Sequence, residues 1–324
     1  MIGEDIQAYK VIEKGDFAYN PARINVGSIA KYEGNGKCMI SSLYVCFNTI
    51  DRIDRDWFMH LLKTPKMNFY YNLNGEGGVR VYLFYPNFAR IRSSYPSLAE
   101  QKKIAAMLSL IDERIATQSK IIEELTTLRS ALLEMVFQVS NPTLKVGAIA
   151  HQTSERNKLC RYSNVLSVSN RFGFINQSEQ FEDRNVASDD VRNYKVVHRG
   201  DFAYNPARIN VGSIAMLKSF ESGIVSPMYI CFQVDDTIVD PSFFELFIET
   251  KAFKDEMEIR LEGSVRRCLS FEALCEIHLP LPALLVQRSI SNKIGNISAK
   301  IKLEDRILRA YIRQKEWLLK QMFI

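Results

Sequence analysis

Gly15-Asp-Phe-Ala-Tyr-Asn-Pro-Ala-Arg-Ile-Asn-Val-Gly-Ser-Ile-Ala30 recurs without a change as Gly200 to Ala215. A repeat of this kind has to be settled before any local reading, because it makes each copy a template for the other. The register holds outward at an offset of 185 residues, Tyr9-Lys10-Val11 matching Tyr194-Lys195-Val196 and Ser41, Tyr44, Cys46 and Phe47 matching Ser226, Tyr229, Cys231 and Phe232. After a one-residue slip the offset is 186, pairing Glu76-Gly77 with Glu262-Gly263 and Gln101 with Gln287. The first copy begins at the equivalent of about residue 186, and nothing in it matches residues 139–185. The first lobe is therefore expected to be incomplete at its front.

Each copy opens with short segments rich in Tyr, Phe, Val and Ile, punctuated by Gly, Pro, Asn and Asp, and then changes to helical periodicity. Lobes are expected at 1–96 and 139–282, and helices of about forty residues at 97–138 and 283–324. The class is α+β: two related mixed α/β lobes separated by two long helices. Ser97-Leu-Ala-Glu100 has the spacing of a capping box at the start of the first helix.

Heptads place Ile104, Leu108, Ile111, Ile115, Gln118, Ile122, Leu125, Arg129, Leu132 and Val136 on one stripe. The second helix has Ile290, Ile294, Ile297, Ile301, Glu304, Leu308, Tyr311, Lys315, Leu318 and Met322, with polar breaks at the equivalent places. A parallel pairing sets Arg129 against Lys315, and like charges side by side in a seam are costly. An antiparallel coiled coil is expected instead, with Ile122 facing Tyr311, Leu125 facing Leu308, Arg129 facing Glu304 and Gln118 facing Lys315. The layers from Ile111 to Val136 span roughly 39 Å, close to the ~34 Å of one B-DNA turn.

The 324 residues are 47% hydrophobic and 24% charged, with 42 Lys+Arg against 37 Asp+Glu, an ordinary globular composition. Apolar runs are short and broken by prolines, and Met1-Ile2-Gly3-Glu4-Asp5 has neither a basic nor an apolar leader region, so neither a membrane span nor a secretory signal is expected. The 6 cysteines never fall in a Cys-x-x-Cys spacing and there are only 4 histidines, so no zinc module or disulfide framework is read, and a cytoplasmic location is expected. Charge is uneven: residues 139–282 carry 16 Lys+Arg against 19 Asp+Glu, whereas 283–324 carry 9 against 3. A lobe that gripped phosphates alone would carry a basic excess, so any DNA grip is expected to be shared with a partner.

Catalytic signatures are missing. Gly34-Asn35-Gly36-Lys37 lacks the upstream glycine and following hydroxyl of a phosphate loop. Tyr19-Asn20-Pro21 and Tyr204-Asn205-Pro206 faintly resemble the Asn-Pro-Pro-aromatic motif of amino-methyltransferases, but Ala22/Ala207 and Arg23/Arg208 stand where that motif has proline and an aromatic. No metal site is expected, and the chain is read as non-catalytic.

The chain resembles the DNA-specificity subunit of type I restriction-modification systems. The features that carry the resemblance are Lys14-Gly15-Asp16-Phe17-Ala18-Tyr19-Asn20 and its copy Arg199 to Asn205, Gly223-Ile-Val-Ser-Pro-Met-Tyr229, the glycine before Val-Arg in each copy, Pro96-Ser-Leu-Ala-Glu-Gln101, and Ile104…Ile111-Asp112…Ile115. Two departures stand out: the short first lobe, and Val286 where the family usually has Glu. The resemblance implies two target-recognition domains, each followed by a spacer helix, reading the two halves of a bipartite site on double-stranded DNA. It implies modification subunits that carry S-adenosylmethionine and methylate adenine, and a restriction subunit that uses ATP and Mg, with no cofactor in this chain. Alternatives are a silent or recombining cassette, a half-subunit that must dimerise, or a self-contained adenine methyltransferase.

Candidate DNA-contacting residues follow from chemistry. Arg23 and Arg208 can fork onto guanine, and Asn25 and Asn210 onto adenine. Tyr19 and Tyr204 stand between core packing and phosphate contact, while Arg80, Arg266 and Arg267 follow glycines that let backbone approach a ligand. Asn170 and Arg171, in a polar loop present only in the second copy, are either solvated or base-reading. Phe17/Phe202 and the turn glycines read as scaffold. Because the block is identical in both copies, it is either scaffold throughout or reads related half-sites.

Overall fold

The computed structural model describes residues 7–77, 81–138, 142–177, 190–263 and 267–323. It is α+β, with short antiparallel strands and two long helices, α4 (Leu98–Gln138, 41 residues) and α8 (Leu284–Met322, 39 residues). The chain divides into two compact units, residues 1–122 with 303–324, and residues 123–302. The division falls inside the long helices rather than at their ends.

In unit 1, β1 (Lys10–Ile12) pairs with β4 (Cys38–Ile40), and β2 (Phe17–Tyr19) lies between β3 (Ile29–Lys31) and β5 (Val45–Phe47), all antiparallel. Helices α1 (Arg55–Leu62), α2 (Pro65–Asn74) and α3 (Tyr85–Phe88) follow. The starts of α1 and α2 are written in the sequence: Asp54 accepts from the Trp57 amide (2.9 Å) and Thr64 from the Met67 amide (3.2 Å), with Pro65 in the first turn of α2, where a missing N–H costs nothing. The core gathers Phe17, Tyr19, Ile24, Trp57, Leu108 and Ile111, and from the far end of the chain Leu318 and Phe323. Phe323 lies 5.6 Å from Trp57, ring to ring.

Unit 2 repeats this plan and adds to it. β10 (Lys195–His198) pairs with β13 (Ser222–Val225), and β11 (Phe202–Tyr204) sits between β12 (Ile214–Met216) and β14 (Ile230–Val234). Asp240 and Thr250 cap α5 (Pro241–Glu249) and α6 (Lys251–Ile259) as their counterparts do in unit 1, and α7 (Phe271–Cys275) corresponds to α3. Even the ring geometry recurs, since Phe17 stacks on Phe47 and Phe202 on Phe232, both at 5.2 Å. The additions are a ribbon of β6 (Thr143–Lys145) with β15 (His278–Pro280), the hairpin β8 (Leu166–Ser169) to β9 (Gly173–Asn176), and β7 (Ala150–Thr153), which pairs with the outer edge of β14.

Each long helix is tied to its lobe by a buried glutamine. The Gln101 side-chain oxygen accepts from the Asp54 amide (2.8 Å), and its NH2 donates to the carbonyls of Arg52 (3.1 Å) and Pro96 (2.9 Å). Gln287 does the same with Asp240 (2.9 Å), Ile238 (3.2 Å) and Pro282 (2.8 Å). Both are fully buried with their polar atoms satisfied, the condition under which a buried amide is tolerated. At the helix start Ser97 accepts from the Glu100 amide (3.3 Å), but the Glu100 carboxylate turns to Lys103 (2.9 Å), so only half of the expected capping box forms.

Every stripe position on both helices is buried or half-buried. In unit 1 the first part of α4 packs on the last part of α8, and in unit 2 the last part of α4 packs on the first part of α8, so the helices run antiparallel. The polar pairs expected along the seam are corrected. Gln118 donates to the backbone carbonyl of Glu304 (3.2 Å) and to its carboxylate; Lys315 pairs with Asp112; Arg129 donates to the Ser298 hydroxyl (2.7 Å) and meets Glu249 (2.7 Å). The expected register matched charges within the stripes alone. The half-buried cations instead find carboxylates beside the stripe, at Asp112, and on the lobe, at the end of α5.

Candidate nucleic-acid interface

The repeated block folds into a strand, a turn and a strand, and the turn separates anchors from display. The Asn20 side chain accepts from the Ala22 amide (3.0 Å) and Asn205 from Ala207 (3.1 Å), bending the chain after the tyrosine. One turn of 3-10 helix follows, Ile24–Val26 or Ile209–Val211, closed by Gly27 (φ +91°) or Gly212 (φ +89°) in the left-handed region that favours glycine. Ile24 and Ile209 point inward, each 2% exposed, and hold the turn on the core. Arg23 and Arg208 point outward to solvent. Neither makes an ion pair among the described residues, so the guanidinium forks are available for an external acceptor.

Asn25 donates to the Asn72 side chain on α2 (3.0 Å), which orients its carboxamide, while Asn210 is exposed. In unit 2 the β8–β9 hairpin comes up beside this turn. A Cβ built on Gly212 would lie 3.3 Å from the Asn170 Cβ, and the Ser213 hydroxyl donates to the Val168 carbonyl (3.0 Å). Asn170, Arg171, Arg208 and Asn210 are thereby brought onto one surface, although nearly forty residues separate the two loops in the chain. The Arg171 guanidinium lies over the Phe172 ring at 5.1 Å.

Tyr19 and Tyr204 are corrected. Both side chains are 0% exposed in their cores, and the Tyr204 hydroxyl donates to the Leu269 carbonyl (3.2 Å), so neither can touch a phosphate. Burial pushes both phenols far above their ordinary value. Arg267 is exposed but already engaged, paired with the Glu258 carboxylate and donating to the Glu258 carbonyl (2.9 Å). Arg80 and Arg266 lie outside the described residues. The segments just past them return to the repeated turns, the Leu83 amide donating to the Pro21 carbonyl (3.0 Å) and Leu269 to Pro206 (3.2 Å).

Residue chemistry alone missed the apolar members of this surface. Val26 is 77% and Val211 51% exposed beside the arginines, and Phe172 is 66% exposed. The left-handed glycine that follows each valine marks it as the crest of a turn rather than a core position. Among the described residues no group of three or more His, Cys, Asp or Glu is placed to hold a metal, and no helix is long and apolar enough to cross a membrane.

No family model matches the sequence, and no curated protein matches it. Solved structures do match. The S subunit of a type I restriction-modification system from M. genitalium aligns at 15% identity over 96% of this chain and 83% of its own, with a TM-score of 0.62. A chain from a study of complex assembly and conformational transition in a type I system aligns at 15% identity over 97% of this chain and 83% of its own, with a TM-score of 0.55. The HsdS subunit from Thermoanaerobacter tengcongensis aligns at 16% identity over 97% and 82%, with a TM-score of 0.48. The chain has the fold of type I restriction-modification S subunits.

Proposed function

We propose that this chain is the DNA-specificity subunit of a type I restriction-modification complex and performs no chemistry itself. The observation that carries the reading is the Arg-Ile-Asn turn, displayed to solvent twice by two separate units of a chain with the S-subunit fold. Arg23 with Asn25, and Arg208 with Asn210, read base edges in two half-sites of double-stranded DNA, where a bidentate arginine favours guanine and a bidentate asparagine adenine. Asn170 and Arg171 extend the second surface and give it contacts that the first lacks. Arg80, Arg266 and Arg267 serve the phosphate backbone, Arg267 by exchanging its bond to Glu258 for one to DNA.

Residues 1–96 and 139–282 act as target-recognition domains and the helices 97–138 and 283–324 as spacers. Because the second domain is net acidic, most of the phosphate grip comes from modification subunits docked on the chain. Those subunits hold S-adenosylmethionine, a restriction subunit uses ATP and Mg, and the complex works in the cytoplasm.

The test is a methylome of cells co-expressing the chain with its modification subunits. The expected result is methylated adenine at a single split motif, with R23A and R208A each relaxing one half only. No complex with the modification subunits and no site preference would overturn the reading.

A further inference from the structure

Nothing in the local fold of the Arg208 turn calls for a valine at its crest. Val211 lies one 3-10 turn beyond Arg208, its amide donating to the Arg208 carbonyl (3.2 Å), and Gly212 follows in the left-handed region. A β-branched side chain is stiffened in a helical turn, and exposed turns favour polar residues. Val211 nonetheless stays open to water with the β8–β9 hairpin already in place beside it. Helix α6 packs against the same turn, and its last residue, Ile259, is 78% exposed.

Unit 1 repeats the arrangement. The Val26 amide donates to the Arg23 carbonyl (3.2 Å), and Val26 is exposed. Helix α2, tied to the turn by the bond between Asn25 and Asn72, carries Leu73 at the position equivalent to Ile259, 65% exposed. A single exposed aliphatic side chain is ordinary, and the shared block accounts for the identical valines by itself. Leu73 and Ile259 lie outside that block, and around them the helix faces diverge. Exposed Phe69 and Asn72 stand where unit 2 has exposed Asp255 and Glu258. An exposed position that stays aliphatic while its exposed neighbours change is held by something outside the chain.

The flanking groups identify that something. Side chains three residues apart in a 3-10 turn eclipse one another, so Val211 faces the same way as Arg208, with exposed Asn210 between them in the chain. A surface of this kind needs a partner that offers hydrogen-bond acceptors beside one small apolar group. The edge of a base pair in the major groove does so, its apolar group being the 5-methyl of thymine. We propose that Val26 with Leu73, and Val211 with Ile259, each seat a thymine methyl, making thymine a required base in both halves of the target. This rests on the base-reading role proposed above for Arg23 and Arg208. Three residues of 3-10 helix rise roughly 6 Å, and stacked bases are about 3.4 Å apart, so each thymine lies within about two base pairs of the guanine taken by the arginine.

The test uses the chain assembled with its modification subunits and duplexes carrying the motif found in the methylome. Each thymine is replaced in turn by deoxyuridine, which lacks only the methyl and pairs unchanged, and binding is read by fluorescence anisotropy. One replacement in each half-site should weaken binding about fourfold, the worth of one buried methyl. V211A should weaken binding to the thymine duplex and abolish the response in one half-site alone, and V26A should do so in the other; both change exposed residues, so the thermal midpoint should hold. I259A and L73A should reduce the same responses. The proposal is overturned if no replacement matters, if either half-site has no thymine that close to a guanine, or if V211A and V26A still distinguish thymine from uracil. Loss of subunit assembly in V211A at an unchanged thermal midpoint would give the patch to a protein partner and overturn it as well. A complex that prefers its site yet ignores the methyl sinks this inference and leaves the specificity role standing, whereas a complex without site preference sinks both.

Discussion

Arg129, a break in the apolar stripe of the first long helix, lies 2.7 Å from Glu249 at the last turn of α5. The side chains are 21% and 42% exposed, so solvent screens the pair and its share of stability is modest. Charge reversal in R129E should destabilise unit 2, and adding E249R should restore part of the loss, with a coupling of about 0.5–1 kcal/mol in a denaturant-unfolding cycle. E304R should give no such rescue.

The glutamine ties should matter more than any surface pair. Gln287 is fully buried and makes three hydrogen bonds to backbone, so Q287A leaves the Asp240 amide and two carbonyls without their partner. A cost of roughly 2–4 kcal/mol to unit 2 is expected from groups of this kind. Q101A should act equally on unit 1, and differential scanning calorimetry would check both.

Base reading and packing should separate cleanly in the repeated block. R208A removes an exposed guanidinium, so the thermal midpoint should hold while discrimination at one base pair weakens by about 1–3 kcal/mol in competition gel shifts. Y204F should do the reverse, losing about 1 kcal/mol of stability with its bond to Leu269 and keeping the sequence preference.

The cysteines should react in a definite order. Cys231 is buried, and its thiol is pushed up to about 12, chiefly by burial, with Asp201 adding to the shift and Lys195 opposing it. The neutral thiol is thus favoured in the fold. Its contribution to stability is fully present below the ordinary thiol value and lost as pH rises toward 12. Exposed Cys160 should be alkylated by iodoacetamide at pH 8 first, and Cys231 only on unfolding. Mass spectrometry of timed quenches would follow the order.

Much of this is legible in the sequence. Heptad spacing located both stripes because a seam between helices is a one-dimensional pattern, and the repeat located the two Arg-Ile-Asn turns because Asn-Pro and a left-handed glycine act locally. Partner choice was not legible. Arg129 takes Glu249, 120 residues along the chain, and Lys315 takes Asp112, a position beside the stripe, since a half-buried cation pairs with whatever carboxylate the fold brings near. Tyr19 and Tyr204 were ambiguous because tyrosine is equally at home in a core or at a phosphate, and the choice rests on tertiary contacts that the repeat does not encode. The meeting of Asn170 with Gly212 likewise depends on a hairpin that only one copy has.

Leu318 and Phe323 sit in the same core as Phe17 and Trp57, although the whole of unit 2 lies between them in the chain. A ribosome therefore releases every residue of the inner unit before it has made the last pieces of the outer one. The first lobe to be translated is the last that can finish folding, and in the interval its bare apolar surfaces are open to chaperones.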